Sequence, residues 1–284
     1  MKSEQQPGKG KTVLITGCSS GIGHNAAHGL RARGWRVFAS CRSAQDVQRL
    51  KAEGFDSVLI DYADEASIET GLAQVLDATG GTLDALFNNG AYGSPGAVED
   101  LPRNAMRAIF EINLFGWHDL TARVLPVMRA QGHGRIVMNS SVLGLAVFRW
   151  RGAYVATKHA LEGLTDTLRV ELRGTDIKVS LIEPGPVTSK FRENSAVQFE
   201  RWIDWQNSPH KQMYQDVFLK RLHEERNGKD MFELGPEAVT AKLIHAIESP
   251  RPRQRYYVTT ATYLIAFLKW LLPGFAVDWV VARF

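Results

Sequence analysis

The chain has 284 residues, 44% hydrophobic and 23% charged, with a formal net charge of +4. This supplies a full core for one α/β domain, while the scattered, interleaved charges give no Lys/Arg block of the kind that grips nucleic acid. Two cysteines, Cys18 and Cys41, exclude a disulfide framework, and the polar opening MKSEQQPGKGK holds no apolar signal segment. A cytoplasmic protein with free thiols and a disordered tail over residues 1–11 is expected.

In chain order, apolar runs of strand length alternate with helical patterns. Strands are predicted at 12–17 (TVLITG), 35–40 (WRVFAS), 57–62 (SVLIDY), 85–89 (ALFNN), 135–140 (RIVMNS), 178–183 (KVSLIE) and 254–259 (QRYYVT). Helices are predicted near 22–33, 43–53, 64–78, 103–130, 152–173 and 236–248. Repeated β-α alternation with Val/Ile/Leu-rich strands implies a doubly wound parallel sheet covered by helices on both faces. Such sheets bind ligands at the carboxyl ends of their strands, so strand ends hold the candidate residues.

The first strand ends in TGCSSGIG, Thr16 to Gly23. Gly17, Gly21 and Gly23 permit a tight turn, close approach of a pyrophosphate and close helix packing, and the helix start presents free N–H groups to phosphates. Strand, glycine turn and helix in that order predict a dinucleotide site of the Rossmann type. The second strand ends in ASCRS, where an acid would bind the adenosine ribose 2'-hydroxyl of NAD. The next acid there is Asp46. Arg42 instead offers a planar cation for a 2'-phosphate, with Ser19, Ser20 and Ser43 as hydroxyl donors, which favours NADP(H) over NAD(H).

Other strand ends extend the pattern, and with them the chain resembles a single-domain short-chain dehydrogenase/reductase from Thr12 to about Thr259. Within that family it is most similar to bacterial members related to retinol and 17β-hydroxysteroid dehydrogenases. The resemblance makes TGxxxGIG, with Ile22, the cofactor turn, and Asp61 the adenine contact. Asn88-Asn89-Gly90-Ala91 is similar to the family's Asn-Asn-Ala-Gly, with glycine and alanine exchanged. Asn113 in EINLFG matches the helix asparagine of the catalytic set. Ser141 precedes Tyr154 by the family's usual separation, and Tyr154-x-x-x-Lys158 matches its signature. Pro184, Gly185, Val187 and Thr188 match the segment lying against the nicotinamide. The resemblance also implies a homodimer or homotetramer built across the helices at 103–130 and 152–173.

Chemistry follows from these assignments. Tyr154 would protonate a carbonyl oxygen as hydride arrives, or deprotonate an alcohol in reverse. Bringing a phenol from a pKa of about 10 to about 7 needs roughly 4 kcal/mol. A lysine charge at about 4 Å and an effective dielectric near 20 supplies roughly that amount. By resemblance, Lys158 also bonds the nicotinamide ribose, and Asn113 anchors a water that connects Lys158 to solvent. Ser141 would donate to the substrate oxygen. His159 points away from this face and reads as structural.

Substrate information is expected in a lid over residues 187–234, rich in aromatics and methionines from Phe191 to Phe232. Leu143, Phe148 and Trp150 are candidates for a second wall, and a bulky apolar aldehyde, ketone or alcohol, retinoid-like or steroid-like, is the expected substrate. Most of the lid aromatics also have an ordinary reading as packing onto the sheet. The extension over 260–284, TYLIAFLKWLLPGFAVDWVVARF at its core, is too short and interrupted to span a bilayer. It is read either as packing, within the chain or between subunits, or as peripheral membrane contact. The alternative to an enzyme is a nonenzymatic NADP(H)-binding protein that uses the fold for regulation or assembly.

Overall fold

The computed structural model describes residues 7–220, 228 and 230–283. Seven strands form one sheet in the order β3-β2-β1-β4-β5-β6-β7. They are β1 Thr12–Ile15, β2 Arg36–Cys41, β3 Asp56–Leu59, β4 Ala85–Asn88, β5 Gly134–Asn139, β6 Ile177–Glu183 and β7 Arg255–Tyr257. Every pairing is parallel, with registers such as Val13 to Ala85 and Val13 to Val37.

Because side chains alternate across a strand, successive residues of β1 enter different cores. Val13 and Ile15 pack with Ala26, Ala27 and Leu30 of α1 (Gly21–Ala32), Val47 and Leu50 of α2 (Ala44–Ala52), and Leu243 and Ile247 further on. Leu14, between them, packs on the other face with Ile68 and Leu72 of α3 (Glu65–Thr79), Trp117 and Val124 of α5 (Gly116–Gln131) and Leu161 of α6 (Gly152–Glu171). The chain order reverses between β1 and β4, so a crevice opens where both strands end.

The helix predicted over 103–130 is interrupted. It consists of α4 (Arg103–Phe110), a π-turn over Glu111–Phe115, and α5. The π-turn carries Asn113, which is fully buried. Asn113 Nδ2 donates to Tyr92 O at 2.8 Å and its Oδ1 accepts from Tyr92 N at 3.1 Å. This two-point grip on the chain leaving β4 fits the usual setting of π-turns at working sites.

The predicted lid contains α7 (Phe191–Trp202) and a short helical turn α8 (Lys211–Met213) that runs into a second π-turn at Tyr214–Phe218. Val187 and Leu234 pair as an isolated bridge, tying the two ends of the segment together. Residues 221–227 and 229, also in the predicted lid, lie outside the described residues. The chain continues through α9 (Glu237–Glu248), β7, α10 (Thr260–Leu271) and α11 (Gly274–Val281). No described helix is long and apolar enough to cross a membrane.

The expectation of disorder through residue 11 is corrected for its described part. Gly8 is buried, its N–H donates to Arg33 O at 3.2 Å, and a Cβ there would meet the Trp35 ring at 2.1 Å. A packed turn therefore covers Trp35 at residues 7–10, and residues 1–6 lie outside the described residues.

Candidate active site

The glycine turn is built by close approach. Gly17 has φ +67, a conformation that L side chains resist, and a Cβ there would lie 2.6 Å from Gly90 Cα. A Cβ on Gly23 would lie 2.3 Å from Gly17 O. The turn therefore folds flat against β4's end, and α1 starts directly beyond it. Thr16 Oγ1 accepts from Asn89 N at 2.9 Å and from Gly90 N at 3.2 Å, while Asn89 Nδ2 donates to Thr16 O at 3.0 Å. The exchanged glycine and alanine fit this packing: a Cβ on Gly90 would sit 3.4 Å from Gly17 Cα, at the edge of ordinary contact.

Arg42, at the end of β2, is exposed and has no hydrogen-bond or ion-pair partner among the described residues. Asp46 is engaged by Arg49 at 3.0 Å. Ser43 Oγ accepts from Asp46 N at 3.3 Å as the cap of α2, leaving its hydroxyl proton to donate. Ser20 starts α1 without a side-chain cap, and Ser19 is exposed. Asp61 is half-buried, its Oδ1 accepting from Ala63 N at 3.0 Å. These groups and the glycine cradle fit a dinucleotide.

At the end of β5, Ser141 caps a short 3₁₀ turn over Val142–Gly144, its Oγ accepting from Leu143 N at 3.1 Å. Val142 N donates to Pro184 O at 2.7 Å, which locks this loop onto the segment after β6. In that segment Gly185 lies against Thr259, and Val187 packs on the core. Thr188 Oγ1 donates to Glu233 Oε1 at 2.6 Å, so its hydroxyl is already committed to the far end of the lid.

Tyr154 and Lys158 stand one turn apart on α6, both buried. Burial pushes the Tyr154 phenol above its ordinary pKa, and a hydrogen bond with Ser141 opposes that shift. Burial pulls Lys158 down to about 7, partly countered by the Glu162 carboxylate. Lys158 Nζ donates to Asn139 O at 2.8 Å and lies 4.3 Å from the Trp117 ring centre and 5.5 Å from that of Tyr154. No hydrogen bond joins the ammonium to the phenol, and the phenol lies above its ordinary value rather than near the value of about 7 expected from a lysine charge, because burial outweighs the other influences on it. His159 Nδ1 pairs with Val155 O at 3.0 Å, on α6 itself.

The structure adds residues that sequence reasoning did not single out. Asn139 Nδ2 donates to Asn89 Oδ1 at 2.8 Å, so an amide chain runs from the glycine turn through Asn89 and Asn139 to Lys158. Beyond Lys158, Glu162 and Glu183 converge on Arg255, which also bonds Asp166 at 2.7 Å. Two buried carboxylates beside one guanidinium hold the Glu183 pKa above its ordinary range, desolvation being the main cause. The signal in the sequence was slight: an asparagine before Ser140-Ser141, and two acids at a helix face and a strand end.

Of the lid aromatics, Phe199, Tyr214 and Phe218 pack with one another and with Trp150, Trp202 and Trp205. Only Phe191 among them reaches the candidate catalytic tyrosine, its ring 5.2 Å from that of Tyr154. Leu143, Tyr92, Met106 and Phe110 complete an apolar cluster around Tyr154. Packing is thus the role of most lid aromatics, and the wall beside the phenol is smaller than the composition implied.

A parallel sheet with a glycine cradle at its switch point belongs to the Rossmann class of dinucleotide-binding folds. Residues 11–198 match the short chain dehydrogenase family model, and the chain belongs to that family of oxidoreductases. It is 43% identical over 268 residues to "Uncharacterized oxidoreductase YbbO" of Escherichia coli K12, covering 94% of this chain and 93% of that one. Human retinol dehydrogenase 8 is 32% identical over 255 residues, covering 86% and 80%. A solved short chain dehydrogenase/reductase from Burkholderia phymatum, in complex with NAD, matches with a TM-score of 0.75 at 26% identity over 93% of each chain.

Proposed function

We propose that this chain is an NADP(H)-dependent oxidoreductase that interconverts the carbonyl and alcohol of an apolar substrate. The observation carrying this reading is the placement of Ser141, Tyr154 and Lys158 at the end of β5 and on α6, linked by the Asn139–Asn89 chain to the glycine turn. When bound, the nicotinamide supplies or accepts the hydride.

The protein's residues do the rest. Ser141 donates to the substrate oxygen, which it can do while its own oxygen accepts from Leu143 N. Tyr154, kept protonated by burial, gives its proton to that oxygen during reduction. Lys158 holds positive charge near the phenolate so formed and offers its remaining hydrogens to ribose hydroxyls. The Asn113 side chain is taken up by Tyr92, so in this arrangement it holds the chain leaving β4.

Arg42, exposed and without a hydrogen-bond or ion-pair partner among the described residues, supports the 2'-phosphate preference, with the hydroxyls of Ser19, Ser20 and Ser43 as further donors. Phe191, Leu143, Phe110 and Met106 support an apolar substrate, as do relatives named for retinol and 17β-hydroxysteroids. The groove between α5 and α6, lined by Leu125, Leu164 and Leu168, supports a homo-oligomer across those helices. α10 and α11 support peripheral membrane contact through Phe267, Trp270, Phe275 and Trp279, all exposed. Loss of NADPH absorbance against a panel of long-chain, aromatic and steroid carbonyls tests the activity. Turnover of an apolar member is the expected result, and a panel without turnover counts against it.

A further inference from the structure

The α1–α2 pair carries a donor cluster that the proposed reaction does not use. His24 and His28 lie one turn apart on α1 and share a face. Both point at Glu53, the cap residue of α2: His24 Nε2 is 2.6 Å and His28 Nε2 3.2 Å from the same oxygen, Glu53 Oε2. The two rings stand edge to face at 4.6 Å, and the three ligand atoms all lie within 4.8 Å of one another. The second carboxylate oxygen, Glu53 Oε1, accepts from Arg49 Nη1 at 2.8 Å. That bond fixes the carboxylate with Oε2 turned to the imidazoles. All three residues are half-buried, so water and ions reach them.

We propose that His24, His28 and Glu53 form a binding site for one divalent ion of the zinc class. Two imidazole nitrogens and a carboxylate oxygen are a donor set that zinc accepts, with water in the fourth position. Ligands at about 2.0–2.1 Å in a tetrahedron stand roughly 3.3 Å apart. The His28–Glu53 separation already has that length, and the His24 side chain must withdraw by roughly 0.7 Å. Calcium and magnesium take oxygen-rich sets that these residues do not provide. Imidazole nitrogen selects zinc, cobalt, nickel or copper instead.

Loading requires a bare Nε2 on each ring, so each neutral imidazole carries its proton on Nδ1. Arg31 Nη2 lies 3.2 Å from His28 Nδ1, a contact that gives way on loading. Arg31 stays held by its bond to Glu53 O at 2.8 Å and by stacking over the Phe55 ring at 3.9 Å.

The placement gives the site a use. His24 directly follows Gly23 of the cofactor turn, and Arg49 joins Glu53 to that turn by donating from Nη2 to Ser19 O at 2.7 Å. An ion here clamps α1 to the end of α2, one guanidinium away from the loop that receives phosphates.

The test uses the full chain, stripped of metal and free of nucleotide, so its outcome does not depend on the proposed reaction. Titration with cobalt(II) is followed by visible absorption, and titration with zinc(II) by calorimetry and by the shift in Tm. One equivalent per chain, a rise in Tm, and binding weakened by more than about 100-fold in His28→Ala, beyond what loss of a merely supporting residue costs, are expected. Glu53→Gln is expected to behave likewise. If either variant melts early in the absence of metal, His24→Gln provides the same comparison on a folded chain. The proposal is overturned if cobalt(II) gives no saturable band, if His28→Ala or His24→Gln binds as tightly as the parent, or if magnesium(II) raises Tm equally.

Discussion

Burial sets the state of Tyr154 and Lys158 before any ligand arrives. The phenol is held protonated, and the lysine, lowered to about 7, is poised to gain or lose its proton near neutrality. Spacing alone showed that this pair can meet, because four residues on a helix bring side chains together; its proposed role, and the choice of Ser141 and Asn113, came from the resemblance to the family. Asn139, Tyr92 and Thr16 were legible in neither way. They act through partners 19 to 74 residues away, pairings that no local pattern encodes. The proposed NADP(H) preference rests on Arg42. Arg42→Ala is expected to weaken NADPH binding by about 10-fold or more while changing NADH binding little, since a charged hydrogen bond is worth roughly 1.5–3 kcal/mol. Fluorescence titration with each cofactor measures it, and equal losses for the two would remove Arg42 from the 2'-phosphate.

Among the elements, the six predicted helices and seven predicted strands all occur, with ends displaced by up to three residues. The π-turn at Glu111–Phe115 was hidden because its apolar pattern continues that of the flanking helices, and its Asn113 is held by Tyr92, 21 residues earlier in the chain. The Glu162–Glu183–Arg255 group, joining α6, β6 and β7, was hidden for a similar reason, since each residue alone reads as an ordinary charge. It makes stability depend on pH. Glu183 in the folded state retains a proton that the unfolded chain releases above its ordinary value of 4.5, so stability falls as pH rises from there through neutrality. Lys158 acts in the opposite sense: the unfolded chain holds a proton between about 7 and 10.5 that the folded chain has lost, so stability rises across that window. Glu183→Gln is expected to flatten the fall below neutrality and leave the alkaline rise. Urea denaturation at a series of pH values reads both slopes, and an unchanged fall in the variant would assign it to other groups.

For the whole molecule, a doubly wound parallel sheet covered on both faces follows from the β-α patterning of the sequence, whereas the strand order comes from pairings between distant segments. What the C-terminal segment does with its apolar side chains does not follow from the patterning either, because hydrophobicity alone gives no direction. The structure supplies one. At about 100° per residue, Tyr263, Leu264, Phe267, Trp270 and Leu271 fall within an arc of roughly 120° on α10. That arc faces outward, with Trp270 80% exposed, while Lys269 Nζ reaches back to Leu145 O at 2.5 Å, beside the Ser141 loop. An outward apolar face on a helix anchored beside the Ser141 loop fits the peripheral lipid contact proposed above. Flotation with phospholipid vesicles is expected to carry the protein upward and to fail for the Trp270→Ser, Trp279→Ser double variant. Flotation unchanged by the double variant, or absent in both, would assign this face to protein contacts.

In the proposed reaction Tyr154 moves the proton while the nicotinamide moves the hydride. This role of Tyr154 is tested most directly by comparing kcat/KM of the protein and its Tyr154→Phe variant on one apolar carbonyl, with NADPH affinity measured alongside. The account predicts a loss of about 100- to 10,000-fold in kcat/KM with NADPH still bound. A variant that keeps the full rate would contradict it.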